Sequence, residues 1–302
     1  MSSHEISIII PAKNEAAGLR ALLPKIRKLY PACELIVIND GSTDDTEAIC
    51  GEHDVKLIRH AYSMGNGASI KSGAREASGE LLVFMDADGQ HHPEDIPRLL
   101  ERINEGYEMV VGARRSDTHS SLARKAANGF YNRLASIMTG FTIEDLTSGL
   151  RAVRARHFRK ISYLLPNGFS YPTTSTMAFF RSGLPVAYVP IYAGKREGKS
   201  KIRVLRDGAR FLIIIVKIGT LFSPMRLFLP ISLMLFLLGT SYYAYTFTTE
   251  HRFTNMSALL LTTSVLSFLI GILSEQVSAL HYKGADEDLR RYPRMNSNEQ
   301  ED

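Results

Sequence analysis

Asp86-Ala87-Asp88 is the sharpest local signal in this 302-residue chain. In an extended segment, residues i and i+2 point the same way, so both carboxylates can face one ligand. Hard oxygen donors suit Mg²⁺ or Mn²⁺, which keep positions open for substrate phosphates. Such an ion would neutralise charge developing on a departing diphosphate. Gln90, two residues further on, offers another oxygen. The competing reading is an Asp-Gly turn after a strand, since both residues are common in turns. An EF-hand is excluded, because Gly89 comes too early and the rest of the loop pattern is missing. Asp40 also has two readings. It can open an Asp-Gly-Ser turn and help cap the next helix, or it can accept the imino N–H of a nucleotide base. Alone, the turn is the more economical reading. Gly65-Asn66-Gly67 either brings backbone close to a ligand or forms a flexible turn.

These residues need elements to position them. Ile6–Ile10 is a β-branched run that stops at Pro11. Glu34–Ile38, Val55–Ile58, Leu81–Met85 and Met109–Gly112 are further short apolar runs. Helical spacing predicts helices over Gly18–Leu29 (with Pro24 as an interruption), Thr43–Cys50, Gly67–Ala77 and Glu94–Ile103. Ser42 or Thr43 is the expected cap of the second helix, with Asp44 and Asp45 at its positive end. Continuous apolar strands alternating with helices predict a mostly parallel sheet in an α/β domain. Ligands of such sheets bind beyond the strands' carboxyl ends. There the chain places Pro11-Ala12-Lys13-Asn14-Glu15, Asn39-Asp40-Gly41-Ser42 and Asp86-Ala87-Asp88-Gly89-Gln90. The dinucleotide fingerprint is absent from the first turn, which argues against an NAD enzyme.

Taken in order, the motifs resemble inverting family 2 glycosyltransferases. They are Pro11-x-x-Asn14-Glu15, Asn39 to Asp44, Gly65-Asn66-Gly67-Ala68 with Gly73 and Ala77, and Asp86-Ala87-Asp88-x-Gln90 with Pro93-Glu94. Asp145 to Arg151 and Arg196 to Lys201 are similar to motifs of the polyprenyl-phosphate sugar transferases within that family. The resemblance covers about the first 205 residues. It implies a GT-A fold and a divalent metal, Mg²⁺ or Mn²⁺. It assigns Asp88 and Gln90 to the metal and Asp86 to the metal or ribose. Pro11, Asn14, Glu15 and Asp40 would line the nucleotide pocket, and Arg196 would close over the donor diphosphate. Arg114, Arg124 and Asn128 would hold the acceptor phosphate. Asp145 sits where relatives have a proposed base or an acceptor-positioning carboxylate. Relatives usually carry Asp-Asp where this chain has Asn39-Asp40, and often a longer basic and aromatic tail than the Glu275-Gln276-Val277 region offers.

The chemistry is coherent without the family. A phosphate oxygen is already anionic near neutral pH and needs little general-base help. The protein must instead bring two anions together. Arginine suits this, since its planar fork binds phosphate bidentately. The bland reading of these arginines is solvated surface charge, and Asp145 can equally serve structure, as a cap or as the partner of Arg151. The resulting expectation is transfer of a hexose, with inversion, from a UDP- or GDP-sugar to dolichyl or undecaprenyl phosphate. Another lipid or a polysaccharide acceptor is the alternative within enzymes. A non-catalytic, nucleotide-sugar-binding scaffold is the alternative outside them.

The net charge is +5 and 45% of residues are hydrophobic, but the long uncharged stretches lie after Arg226. Leu227–Thr249 and Phe253–Ser274 carry no charge. Each can span a hydrocarbon core of roughly 30 Å at about 1.5 Å per residue. The expected organisation is a catalytic domain over 1–202, an interfacial amphipathic segment over 203–225, a transmembrane hairpin over 226–280 and a tail over 281–302. In the amphipathic segment Arg203, Arg206, Asp207, Arg210 and Lys217 form one helical stripe beside Phe211, Leu212, Ile215, Ile218 and Phe222, with Ile214 blurring it. The alternative is a helix packed on the catalytic domain. Pro224 should break the helix before the first span. Cations flank both ends of the hairpin, which puts the catalytic domain and both termini in the cytoplasm. Met1–Glu5 is polar and Ile6–Ile10 is short, so no secretory signal is expected. Cys33 and Cys50 are expected to be free thiols. Positive charge gathers beside the spans and not along an aromatic face, which excludes nucleic acid as a partner. The lipid bilayer is the expected partner surface, and a homo-oligomer is compatible with the pattern.

Overall fold

The computed structural model describes residues 5–114, 122–168, 171–192 and 219–289; of 122–128 and 281–289 only the backbone path is described. The described residues form two compact units, one on each side of residues 193–218.

The first unit is a seven-stranded sheet in the order β3-β2-β1-β4-β6-β5-β7. The strands are β1 (Ile6–Ala12), β2 (Glu34–Asn39), β3 (Lys56–Arg59), β4 (Leu81–Phe84), β5 (Met109–Arg114), β6 (Arg151–Arg154) and β7 (Val186–Ile191). Its helices are α1 (Ala16–Leu29), α2 (Thr46–Gly51), α3 (Asn66–Glu76), α4 (Ile96–Asn104), α5 (Leu122–Thr139), α6 (Ala155–Ile161) and α7 (Tyr171–Arg181). Strand side chains alternate between two helical layers. Ile8 and Ile10 join a core with Leu19, Leu23, Leu99 and Ile103 of α1 and α4. On the other face Ile9 and Ile38 lie against Gly73 of α3.

The mostly parallel α/β sheet expected from the sequence is what forms. β6 is the exception, running antiparallel to both β4 and β5. Its four-residue length and mixed Arg-Ala-Val-Arg composition gave no periodic signal. The reversal matters for the site. Because β6 begins where β4 and β5 end, the segment before it, 145–150, arrives at the same edge as the residues following those two strands.

Three local expectations are corrected. β1 does not stop at Pro11 but runs to Ala12. Its ladder with β4 ends at Ile9, so Pro11 lies where β1 is paired with β2 alone, and a missing N–H is tolerated there. Pro24 does not interrupt α1, which continues to Leu29. Ser42 and Thr43 do not cap α2. Its Thr46 N–H donates instead to Asp44 Oδ1 at 3.1 Å, while Ser42 and Thr43 bond Asn14. Cys33 and Cys50 are free.

The second unit is a helical hairpin, α8 (Pro224–Glu250) and α9 (Asn255–Leu289). Pro224 opens α8, where its missing N–H costs nothing. His251 adopts a left-handed φ of 50° and its N–H donates to Phe247 O, which ends the helix. Two segments, Pro224–Glu250 and Asn255–Leu280, are long and apolar enough to cross a membrane. The packing stripe is made of small residues. Ser232, Gly239 and Thr246 of α8 lie inside, as do Ser257, Ser264, Gly271 and Ser278 of α9, each seven residues from the next. Ser232 Oγ donates to Ser264 O and Ser264 Oγ to Ser232 O, both at 2.9 Å. Leu233, Leu237, Leu266 and Leu273 point outward and are exposed. Residues 203–218 of the expected amphipathic segment lie outside the described residues.

Candidate active site

The carboxyl edge of the sheet gathers three loops. Asp86 and Asp88 follow β4, Arg114 ends β5, and Asp145 precedes β6. The main chain of the β4 loop is held from below: a Cβ on Gly18 of α1 would run into the Ala87 carbonyl oxygen. Asp86 keeps one third of its side chain exposed, and its Oδ2 lies 3.5 Å from His91 Nε2. Burial pushes the Asp86 pKa upward, but His91, Arg114 and Arg151 outweigh this and leave it below the ordinary carboxylate value. Asp86 is therefore ionised at neutral pH. Asp88 Oδ1 accepts the Gln90 backbone N–H at 3.2 Å.

Arg114 and Asp145 form a two-pronged pair. Arg114 Nε donates to Asp145 Oδ2 at 2.8 Å and Nη2 to Oδ1 at 3.0 Å. The Arg114 backbone N–H also donates to Oδ2, and the Thr147 N–H to Oδ1. Arg114 Nη2 further donates to Thr147 Oγ1 at 2.6 Å. Burial opposes the charge on Asp145, yet these donors and the guanidinium hold its pKa below the ordinary value. The same pairing, with Asp86 and Asp88 nearby, raises that of Arg114. A carboxylate so firmly ionised and so fully bonded is a weak proton acceptor. It suits positioning an arginine better than general-base work.

Asp145 does not pair with Arg151. Arg151 is fully buried and bonds Ser148 O, Leu146 O, Pro172 O, Ser175 Oγ and Thr176 Oγ1. It ties the segment before β6 to α7, and burial pulls its pKa down. Asn132 of α5 does a similar job, donating to Glu144 O and accepting from the Leu146 N–H. Neither role has a sequence signature, because each depends on partners that only the folded loops bring into range.

Among the nucleotide-side candidates, Asn14 sits at φ 56° and exchanges bonds with Ser42 and Thr43, joining the β1 and β2 loops. Asn tolerates this left-handed backbone. The neighbouring Glu15 N–H donates to Thr46 Oγ1. Asp40 is committed to its own fold: it accepts from Ser63 Oγ, Met64 N–H and Gly65 N–H, and meets His60 Nδ1 at 2.8 Å. Burial raises its pKa, and these partners more than reverse the effect. With four contacts, its lone pairs are used. Asp40 thus shapes the loop before α3, and Gly65-Asn66-Gly67 packs against another loop, Gly67 N–H donating to Gly168 O at 3.1 Å. The side chains of Arg124 and Asn128, on α5, and the whole of Arg196 lie outside the described residues.

The fold family implies a divalent metal, and the residues present fit one. Two neighbouring carboxylates at a strand's carboxyl end, one of them ionised and part-exposed, are hard donors suited to Mg²⁺ or Mn²⁺. Among the described residues no cluster of three or more His, Cys, Asp or Glu side chains surrounds them. The remaining ligands would be an amide, water or substrate oxygens, as Mg²⁺-type sites allow.

Residues 7–162 match Glycosyl transferase family 2, and residues 223–280 match the GtrB C-terminal hairpin. An undecaprenyl-phosphate 4-deoxy-4-formamido-L-arabinose transferase of Enterobacter sp. is 32% identical over 67% of this chain and 64% of its own length. The protein of the same name from Yersinia pestis is 30% identical over 79% and 74%. That from Klebsiella pneumoniae is 36% identical, and only 49% of its length is spanned. Among solved structures, a Mycobacterium tuberculosis glucosyl-3-phosphoglycerate synthase, in complex with Mn²⁺, UDP and phosphoglyceric acid, shares the fold. It superposes with a TM-score of 0.59 at 20% identity over 72% of this chain and 78% of that one. With its GT-A-like sheet and an apolar helical hairpin later in the sequence, the chain belongs to glycosyl transferase family 2.

Proposed function

We propose that this protein transfers a hexose from a UDP- or GDP-linked donor to a polyprenyl phosphate, with inversion at the sugar carbon. The observation that carries the reading is the convergence of Asp86, Asp88 and the Arg114–Asp145 pair on one sheet edge, in a chain that also carries an apolar hairpin. The names of the relatives, undecaprenyl-phosphate sugar transferases, point the same way. A bound Mg²⁺ or Mn²⁺ would supply positive charge against the departing diphosphate; Asp86 and Asp88 would hold it, with Gln90 beside them. Arg114, kept charged and oriented by Asp145 and Thr147 through Nε and Nη2, turns its remaining Nη1 donors to the acceptor phosphate. The phosphate oxygen is already an anion, so attack needs no proton transfer to Asp145. Pro11, Asn14 and Glu15 border the nucleotide, with Asp40 shaping that pocket from within. Arg124 and Asn128 are assigned to the acceptor side, and Arg196 to the donor diphosphate. The hairpin anchors residues 1–202 at a bilayer, and the flanking cations favour a cytoplasmic catalytic domain.

The test is transfer from radiolabelled UDP- and GDP-sugars to polyprenyl phosphate in detergent with Mg²⁺ or Mn²⁺. An organic-extractable product that disappears with EDTA is expected. Absence of product from every donor, with the protein folded and donor bound, would overturn the reading in favour of another acceptor or a non-catalytic scaffold.

A further inference from the structure

Gly149 and His91 have no assigned part in the chemistry, yet they grip the same side chain from two elements. A Cβ built on Gly149 would collide with the Asp86 carboxyl group, reaching 2.7 Å from Cγ and 3.1 Å from Oδ1. Any side chain there must displace the carboxylate. His91, 4% exposed, brings Nε2 to 3.5 Å from Asp86 Oδ2. Its other nitrogen, Nδ1, is buried without a hydrogen-bond partner among the described residues. Burying an imidazole at the cost of an unpaired nitrogen is unfavourable, and Asp86 is the polar group that this ring does meet. Gly18 of α1 lies close against the Ala87 carbonyl, so the main chain of the loop is packed on that helix.

We propose that Gly149 and His91 are positioning residues that form a socket for Asp86, holding its carboxylate in the orientation that lets it share a ligand with Asp88. This rests on the metal-site reading given under the proposed function. It also gives a reason for glycine in the Ser148-Gly149-Leu150-Arg151 segment that turn geometry does not supply. Outer-shell groups that orient a ligand commonly change metal affinity by about 10–100-fold when removed.

The experiment uses the full chain in detergent, with Mn²⁺ followed by electron paramagnetic resonance in the presence of UDP and, in parallel, GDP. Gly149→Ala and His91→Leu are expected to weaken Mn²⁺ binding about tenfold or more. Nucleotide binding without metal should be unchanged. His91→Gln, which keeps a donor, should recover most of the affinity. If the wild type binds Mn²⁺ and both Gly149→Ala and His91→Leu bind it equally well, the socket is wrong while the metal site stands. If His91→Gln fails as badly as His91→Leu, His91 only fills space and the socket is overturned. Should Gly149→Ala not fold, the His91 pair decides. No Mn²⁺ binding by the wild type with either nucleotide overturns the metal reading and this proposal together.

Discussion

The two units of this protein are packed in opposite senses. The sheet unit buries large apolar side chains, among them Phe84, Phe158, Phe179, Ile8 and Leu23. The hairpin buries Ser232, Gly239, Thr246, Ser257, Ser264, Gly271 and Ser278, and exposes Leu233, Leu237, Leu266 and Leu273. Water expels apolar surface, so bulk goes inward in the first unit. Lipid is as apolar as leucine, so in a bilayer bulk gains nothing by burial and small residues let backbones approach. Glycine shows the contrast best. Gly18 and Gly149 make room for an Asp-containing loop, whereas Gly271 makes room for Phe228 of the neighbouring helix, whose Cβ would lie 2.8 Å from an added one.

The sharpest way to break the sheet unit is at Arg151, a large buried cation with no counterpart among the described residues of the hairpin. Arg151→Ala would take a donor from five acceptor groups, the Leu146 and Ser148 carbonyls among them, and leave a cavity. A loss of about 3–5 kcal/mol is expected, read from unfolding of the full chain in detergent; an unchanged midpoint would show that the α7 connection is dispensable. Asp88→Asn tests chemistry instead of folding. Activity should fall about 100–1000-fold, the scale of one lost electrostatic group at the reacting centre, with the unfolding midpoint intact. Full activity in this variant would remove the metal reading.

These residues also show what sequence could and could not reveal. Strand runs such as Ile6–Ile10 and Leu81–Phe84 were legible because burial on both faces leaves a continuous apolar stretch. Asp86 and Asp88 were legible because two carboxylates at a strand end carry a chemical meaning in their spacing. β6 was not, being short and flanked by arginines. Nor was the choice of partner for Asp145: Arg114 and Arg151 are both nearby in type, and the antiparallel entry of β6 decides between them. Asp40 was legible as polar and important, but its bonds to Ser63, Met64 and Gly65 join residues more than twenty positions away, and no local pattern encodes them.

The hairpin is tested at Gly271. Gly271→Leu would follow the rule of the sheet unit, filling the interior with bulk, and should cost about 1–3 kcal/mol by overpacking. The outward Leu273→Ala should be nearly neutral in detergent, and the reverse ranking would mean that the hairpin is packed like a soluble core. In the sheet unit the Arg114–Asp145 pair gives a smaller, pH-dependent effect. The folded Asp145 pKa is depressed, so its contribution is present above the ordinary carboxylate value of 3.8 and is lost as pH falls through the lower folded value. The stability gap between wild type and Asp145→Asn should be constant from about pH 8 to about pH 5 and shrink only below about pH 4. A gap that already closes near pH 6 would mean that Asp145 is not held ionised by Arg114.

The smallest expected effect is also the most specific to the hairpin. Ser232 and Ser264 donate reciprocally to each other's backbone carbonyls, with their hydroxyl oxygens 3.3 Å apart. In water such a pair would contribute little, since each hydroxyl has a solvent alternative when the helices separate. In hydrocarbon the alternative is a backbone acceptor on its own helix, so some of the benefit is still lost. Ser232→Ala and Ser264→Ala each remove one donor and leave both carbonyls in place, so each should cost about 0.6 kcal/mol, measured as helix-pair stability in bilayers or bicelles. A cost near zero for both would place the whole stabilisation in the close approach that Gly239 and Gly271 allow. A cost well above about 2 kcal/mol for either would exceed what such bonds give in membranes and would mean that the serines, not the glycines, set the register of the hairpin.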